Sequence, residues 1–205
     1  MPNCLPSIAG RWGPALLLFL GLLPHLAAGQ ARFQTRTGLL SFFSASPLED
    51  IEARSQQTAA VLDLNTRQVA FSLPVKSFQF RRTLMQEHFN ENYLESDRYP
   101  RATFAGRLLA LDEEALRAGG ARPVTAEGDL TIHGVTRHVQ VPGTLELQNG
   151  RLRVLATFNV APADYQIDIP ALVRDHIAKV VQVRLDLSCE AVAATAGAPV
   201  PSARP

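Results

Sequence analysis

Apolar and polar positions alternate with a period of two along most of the chain, the pattern of strands that bury one face. Gly38 to Ser44 contains LLSFFS, a first strand, joined through Pro47-Leu48-Glu49-Asp50 to a long second one marked by Ile51, Ala53, Val61 and Leu64. The phase of the second strand changes midway, which predicts a bulge. Asn65-Thr66-Arg67 turns the chain into a third strand, where Val69, Phe71 and Leu73 alternate with Ala70, Ser72 and Pro74. Pro74 has no N–H to give to a ladder, so this strand lies at an edge or is bulged there. Thr103 to Leu111 forms a fourth strand, followed by a short helical turn, Glu113 to Arg117, that Asp112 caps and Gly119-Gly120 stops.

The period changes once. Over Thr83 to Leu94, Met85, Phe89 and Tyr93 recur every fourth residue with Leu84 and His88 beside them, which predicts one amphipathic helix inserted after the third strand. Thr83 and Gln86 have capping-box spacing, and Tyr99-Pro100 imposes extended backbone before the next strand. A single helix among strands is placed to plug or cover something.

Two hairpins and a last strand follow. In GDLTIHGVTRHVQV a two-residue turn at Gly134-Val135 is expected, pairing His133 with Thr136 and putting Leu130, Ile132, Val139 and Val141 on one face, together with Arg137. Thr131, His133, Thr136, His138 and Gln140 take the other. Asn149-Gly150 fits a type I′ turn that pairs Gln148 with Arg151 and Glu146 with Arg153. Leu145, Leu147, Leu152, Val154, Ala156 and Phe158 then share the dry side. Pro170 opens a short amphipathic turn through Leu172, Val173, His176 and Ile177. In VVQVRLDLSCEA, Val181, Val183, Leu185, Leu187 and Cys189 face inward. The count is eight strands with short turns, an all-β chain that fits a sandwich or a closed up-and-down barrel. The Cys and Trp pattern of an immunoglobulin sandwich is absent, and a barrel of about eight strands is either filled by side chains or holds one small ligand.

The ends of the chain do not join this pattern. Arg11, the apolar run Ala15 to Leu23 and Ala27-Ala28-Gly29 form the three regions of a secretory signal, so residues 1–29 are expected to be removed. The barrel is expected over 30–192, and 193–205, rich in Ala and Pro, reads as a disordered tail. Without residues 1–29 the chain keeps 19 basic and 19 acidic residues. This balance argues against nucleic acid and against an anionic membrane surface as partners held by bulk charge. Once that segment is removed the chain is not expected to span a membrane, a homodimer stays open, and Cys189 alone cannot form an internal bridge.

Candidate chemistry is thin. His88 and Glu91 stand at HxxE spacing on the helix without further ligands for a metal. His133 and His138 are expected to lie diagonally on the polar face of their hairpin, either as solvated side chains or able to share a metal ion or respond to pH. No nucleophile elbow and no phosphate-cradling glycine loop is present, so neither an enzyme nor a cofactor is expected. Arg81, Arg82, Arg98 and Arg101 flank the helix, placed either to meet an anionic head group or to pair with Glu87, Glu91, Glu95 and Asp97.

The stretches FSLPVKSFQFRRTLMQEHFNENYLESDRYPRATFAGRL and AEGDLTIHGVTRHVQVPGTL resemble the YceI-like family of exported lipid- or polyisoprenoid-binding proteins. The resemblance implies an extended, lipocalin-like, eight-stranded antiparallel barrel with an elongated apolar cavity, periplasmic or secreted, holding a polyisoprenoid or other long-chain lipid. At the front, ARFQTRTGLLSFF lacks the His-Ser pair that many relatives carry. Candidate cavity residues are Phe71, Phe78, Phe80, Met85, His88, Phe89, Phe104, Leu130, Ile132, Phe158 and Val183. The same apolar residues would equally fill a solid barrel, which would make the protein an envelope stress or interaction module with no small-molecule ligand.

Overall fold

The computed structural model describes residues 32–192, so the expected signal segment and tail lie outside the described residues, as does the side chain of Leu172. Eight long strands form a closed antiparallel barrel: β1 (Arg32–Ala45), β2 (Asp50–Asp63), β3 (Gln68–Pro74), β5 (Arg101–Leu109), β6 (Arg122–Ile132), β7 (Val135–Gln148), β8 (Arg151–Val160) and β9 (Val181–Ala191). Their order is β1-β9-β8-β7-β6-β5-β3-β2, and pairing of β1 with β2 closes the ring. Closure leaves no long unpaired edge. The two-residue β4 (Gln79–Phe80) pairs with Arg54 and Ala53 of β2, beyond the point where β3 has left that strand.

Pro74 marks the departure. It still sits opposite Arg101 of β5, but the pairing of β3 with β2 ends at Ser72, so the missing N–H falls where no partner asks for it. The bulge expected in β2 is present as one extra residue between Ser55 and Thr58, matched by one extra residue in β1 between Thr35 and Gly38. Gly38 is confined there: a Cβ would stand 2.1 Å from the Leu187 side chain and 3.1 Å from the Thr58 carbonyl oxygen.

One hairpin differs from expectation. The turn residues of β6–β7 are His133 and Gly134, both with positive φ (51° and 75°), and Ile132 faces Val135 while Thr131 faces Thr136. Two consecutive positive φ values make a type I′ turn, in which glycine is favoured second, so the turn lies one residue earlier than a leading glycine implies. The faces survive because this register keeps every residue's parity. At Asn149-Gly150 the expected type I′ turn and pairing are found.

The interior is uneven along the barrel axis. At one end Phe33, Leu62, Val69, Leu108, Leu145, Leu152, Leu187 and Cys189 pack into one continuous core. Helix α2 (Glu113–Arg117), capped by Asp112 Oδ1 accepting from the Ala115 N–H at 2.9 Å, closes that end with the buried Leu116. The other end carries the two long connections, residues 75–100 and 161–180, and its interior side chains converge less completely.

Candidate functional site

The helix that interrupts the strand pattern lies across the less filled end. Helix α1 (Thr83–His88) runs straight into a π-helical turn, Phe89–Tyr93, where the Leu94 N–H reaches the Phe89 carbonyl at 2.9 Å. The wider turn keeps Met85, Phe89 and Tyr93 on one side despite their strict spacing of four, and such turns recur at functional sites. The expected capping box is not formed. Arg82, with extended backbone, precedes the helix without a side-chain cap, and Gln86 Oε1 instead accepts from the Phe80 N–H at 3.3 Å, tying the helix to β4.

Under α1 the barrel holds a cavity of about 440 Å³ that is open at its mouth. Leu84, Met85, His88, Phe89 and Tyr93 form its roof. Its walls are Leu40 and Phe42 of β1, Ile51 of β2, Leu73 of β3, Leu130 and Ile132 of β6, Phe158 and Val160 of β8, and Val181 and Val183 of β9. Ile167, Ile169, Val173 and Ile177, from the connection between β8 and β9, complete the mouth. A smaller chamber of about 100 Å³, lined by Phe71, Phe104, Ala126 and Val141, lies next to it and shares Leu40, Leu73, Ala102, Leu130 and Phe158.

Four aromatic rings from three chain segments meet at the roof. Phe42 lies 5.2 Å from Phe78, 5.8 Å from Phe80 and 5.6 Å from Phe89, and Phe80 and Phe89 are 4.9 Å apart. Ring pairs at these separations attract beyond the area they bury. Phe78, Phe80, Met85, His88, Phe89, Leu130, Ile132, Phe158 and Val183 thus line the main cavity, whereas Phe71 and Phe104 line the smaller chamber. Leu40, Phe42, Ile51, Ile167, Ile169 and His176 also line the main cavity and are not among the cavity candidates read from sequence. Alternation within LLSFFS carries the signal for Phe42, but the bulge ahead of it hides which parity faces inward.

The charged candidates are spread over the outside of the mouth. Arg82 reaches Glu49 at 2.6 Å and alone of the four arginines lines the cavity. Arg81 lies 3.8 Å from Glu52, Arg98 lies 3.5 Å from Glu95 and 5.1 Å from the Tyr99 ring centre, and Arg101 donates to Ser72 Oγ at 2.8 Å. The partners of Arg81 and Arg82 come from β2 and the loop before it, not from the helix.

The two histidines of the β6–β7 hairpin do not form a pair. His133, in the turn, is partly buried against the Tyr99 ring (4.5 Å), donates from Nδ1 to the Tyr165 carbonyl at 3.2 Å and places Nε2 3.3 Å from Glu95 Oε1. His138 stands on the outer wall with Nδ1 2.9 Å from Asp129 Oδ1, and that hydrogen bond raises its pKa above the usual histidine value. His88 is exposed at the cavity mouth. Among the described residues no three His, Cys, Asp or Glu side chains come together as a metal site. No described helix is long and apolar enough to cross a membrane.

A family model described as a YceI-like domain matches residues 28–189. Among solved structures, a polyisoprenoid-binding domain from Saccharophagus degradans implicated in plant cell wall breakdown is similar, with a TM-score of 0.67 and 19% identity over 80% of this chain and 99% of that one. BcnA of Burkholderia cenocepacia follows with a TM-score of 0.63 and 19% identity, covering 74% and 95%. The YceI protein of Campylobacter jejuni gives 0.55 and 11%, covering 66% and 82%. Among curated proteins no sequence matches.

Proposed function

The chain belongs to the YceI-like family, and from that premise we propose that it is a non-enzymatic, exported protein, periplasmic or secreted, that carries a long apolar chain of the polyisoprenoid class in the cavity under α1. The observation that carries this reading is the cavity itself: about 440 Å³ walled by aliphatic and aromatic side chains, a size and lining that suit a small-molecule site. The relative from Saccharophagus degradans is a polyisoprenoid-binding domain, which supports the ligand class. The signal-like pattern of residues 1–29 supports export.

Each part of the site takes a role in this reading. The rings of Phe42, Phe78, Phe80 and Phe89 grip the chain near the mouth, Leu130, Ile132, Phe158 and Val183 form the slot along which it lies, and Phe71 and Phe104 bound the small chamber that receives its end. Arg82, His88 and His176 stand where a polar end would emerge. At the α2 end of the molecule the barrel is filled, with Leu62, Leu145, Leu152 and Leu187 fully buried.

The test is displacement of an environment-sensitive fluorescent prenyl probe by an unlabelled polyprenol. The reading expects saturable displacement, abolished in Ile132→Arg with the fold retained by circular dichroism. A probe that never enters, or that Ile132→Arg still binds as tightly, overturns it.

A further inference from the structure

Exposed large apolar side chains are distributed unevenly. Among the described residues they are Leu39, Phe43, Leu48, Leu84 and Val180, and none lies at the end closed by α2. Three of them stand on three separate segments around the mouth: Leu48 in the β1–β2 loop, 63% exposed, Leu84 on α1, 62% exposed, and Val180 before β9, 51% exposed. Two contacts hold these segments together at the rim. Arg82, two residues before Leu84, bonds Glu49, the neighbour of Leu48, and the Ala178 N–H donates to Ser44 Oγ at 2.9 Å.

We propose that this rim docks on a lipid bilayer, with Leu48, Leu84 and Val180 entering the boundary between head groups and acyl chains. Apolar side chains that project from a polar surface in this way insert without spanning. Leu84 also lines the cavity, and Glu49 and Val181, next in the chain to Leu48 and Val180, line it too, so all three rim segments border the chamber. A protein partner or second copy seated there would seal the ligand's path, whereas a bilayer supplies and accepts an apolar chain from the face it covers. The rim charges favour a neutral lipid surface. Arg82 with Glu49, Arg81 with Glu52, Lys76 with Asp97 and Arg98 with Glu95 are paired within the protein, and α1 adds the exposed Glu87 and Glu91 beside Leu84, so these groups leave no basic field to draw the rim to an anionic surface.

This inference rests on the carrier reading of the chamber, and its test separates the two. Phosphatidylcholine vesicles are floated with the processed, exported protein and with Leu48→Ser/Val180→Ser, two exposed positions outside the cavity lining. Both proteins share the same termini, so any contribution from those cancels. The expected result is vesicle binding by the unaltered protein, at least tenfold weaker in the double variant, while native mass spectrometry shows both still taking up polyprenol from detergent. Equal flotation of the two proteins, or no flotation of either, overturns the proposal. A dimer of the unaltered protein that the double variant dissolves overturns it too, assigning the rim to a second copy. Failure of polyprenol uptake with a normal flotation difference removes the carrier reading and leaves the docking surface standing.

Discussion

His133 and Glu95 meet at 3.3 Å, and the same imidazole reaches the Tyr165 carbonyl at 3.2 Å from its other nitrogen. One side chain in a hairpin turn therefore fastens both long connections that frame the cavity mouth. Tyr99 packs on this clasp, and a Cβ on Gly134 would stand 2.5 Å from its ring, so the turn admits the tyrosine because glycine is there.

The clasp is expected to hold the mouth more than the barrel. His133→Ala should cost about 1 kcal/mol, in line with the loss of part-buried hydrogen bonds, measured by urea unfolding. Amides of residues 161–167 should exchange faster by mass-resolved hydrogen exchange, while those of β8 and β9 keep their protection. Uniform loss of protection across the barrel would contradict this role.

Truncations should behave oppositely in the two halves. Leu145→Ala, in the filled end where Leu145 is fully buried, should lose roughly 3 kcal/mol of stability, as core truncations that leave a cavity do. Its polyprenol binding should be unchanged. Phe158→Ala widens an existing cavity, so its stability loss should be smaller and its binding should fall. Equal effects of the two substitutions on both readouts would mean the interior is not divided as described.

Gly38→Ala tests the paired bulges. Its Cβ would meet the Leu187 side chain, which is itself fully buried, and overpacking of this kind costs about 1–3 kcal/mol. The check is thermal unfolding, with a lowered Tm as the expected outcome.

Cys189 should be inert while the protein is folded. Burial pushes its thiol from 9.0 up to about 12, and only the thiolate attacks. Iodoacetamide at pH 8 should label it only after denaturation. The sign of the pH effect follows: because the folded thiol keeps its proton to higher pH than the unfolded one, its contribution to stability is complete below about pH 9 and is lost as pH rises towards about 12.

Much of the fold was legible because alternation fixes faces. The inward sets of β7, β8 and β9, the Asp112 cap and the Asn149-Gly150 turn follow from local chemistry alone. The β6–β7 turn lies one residue earlier than its pattern suggests because Gly134 fits two turn types, and only the surroundings choose: His133 tolerates positive φ while its ring is held by Glu95, Tyr99 and Tyr165. Local spacing likewise offered helix acids to Arg81 and Arg82, whereas the barrel brings Glu52 and Glu49 to them. Whether Leu145 fills and Phe158 lines depends on how far opposite walls stand apart, a distance that no spacing along the chain encodes.

The central claim, an apolar chain held under α1, is tested most directly by native mass spectrometry of the protein purified from its native source, followed by organic extraction. The account predicts one long-chain apolar molecule per protein, recovered as a polyisoprenoid in the extract. A ligand-free mass that persists after incubation with polyprenols would contradict it.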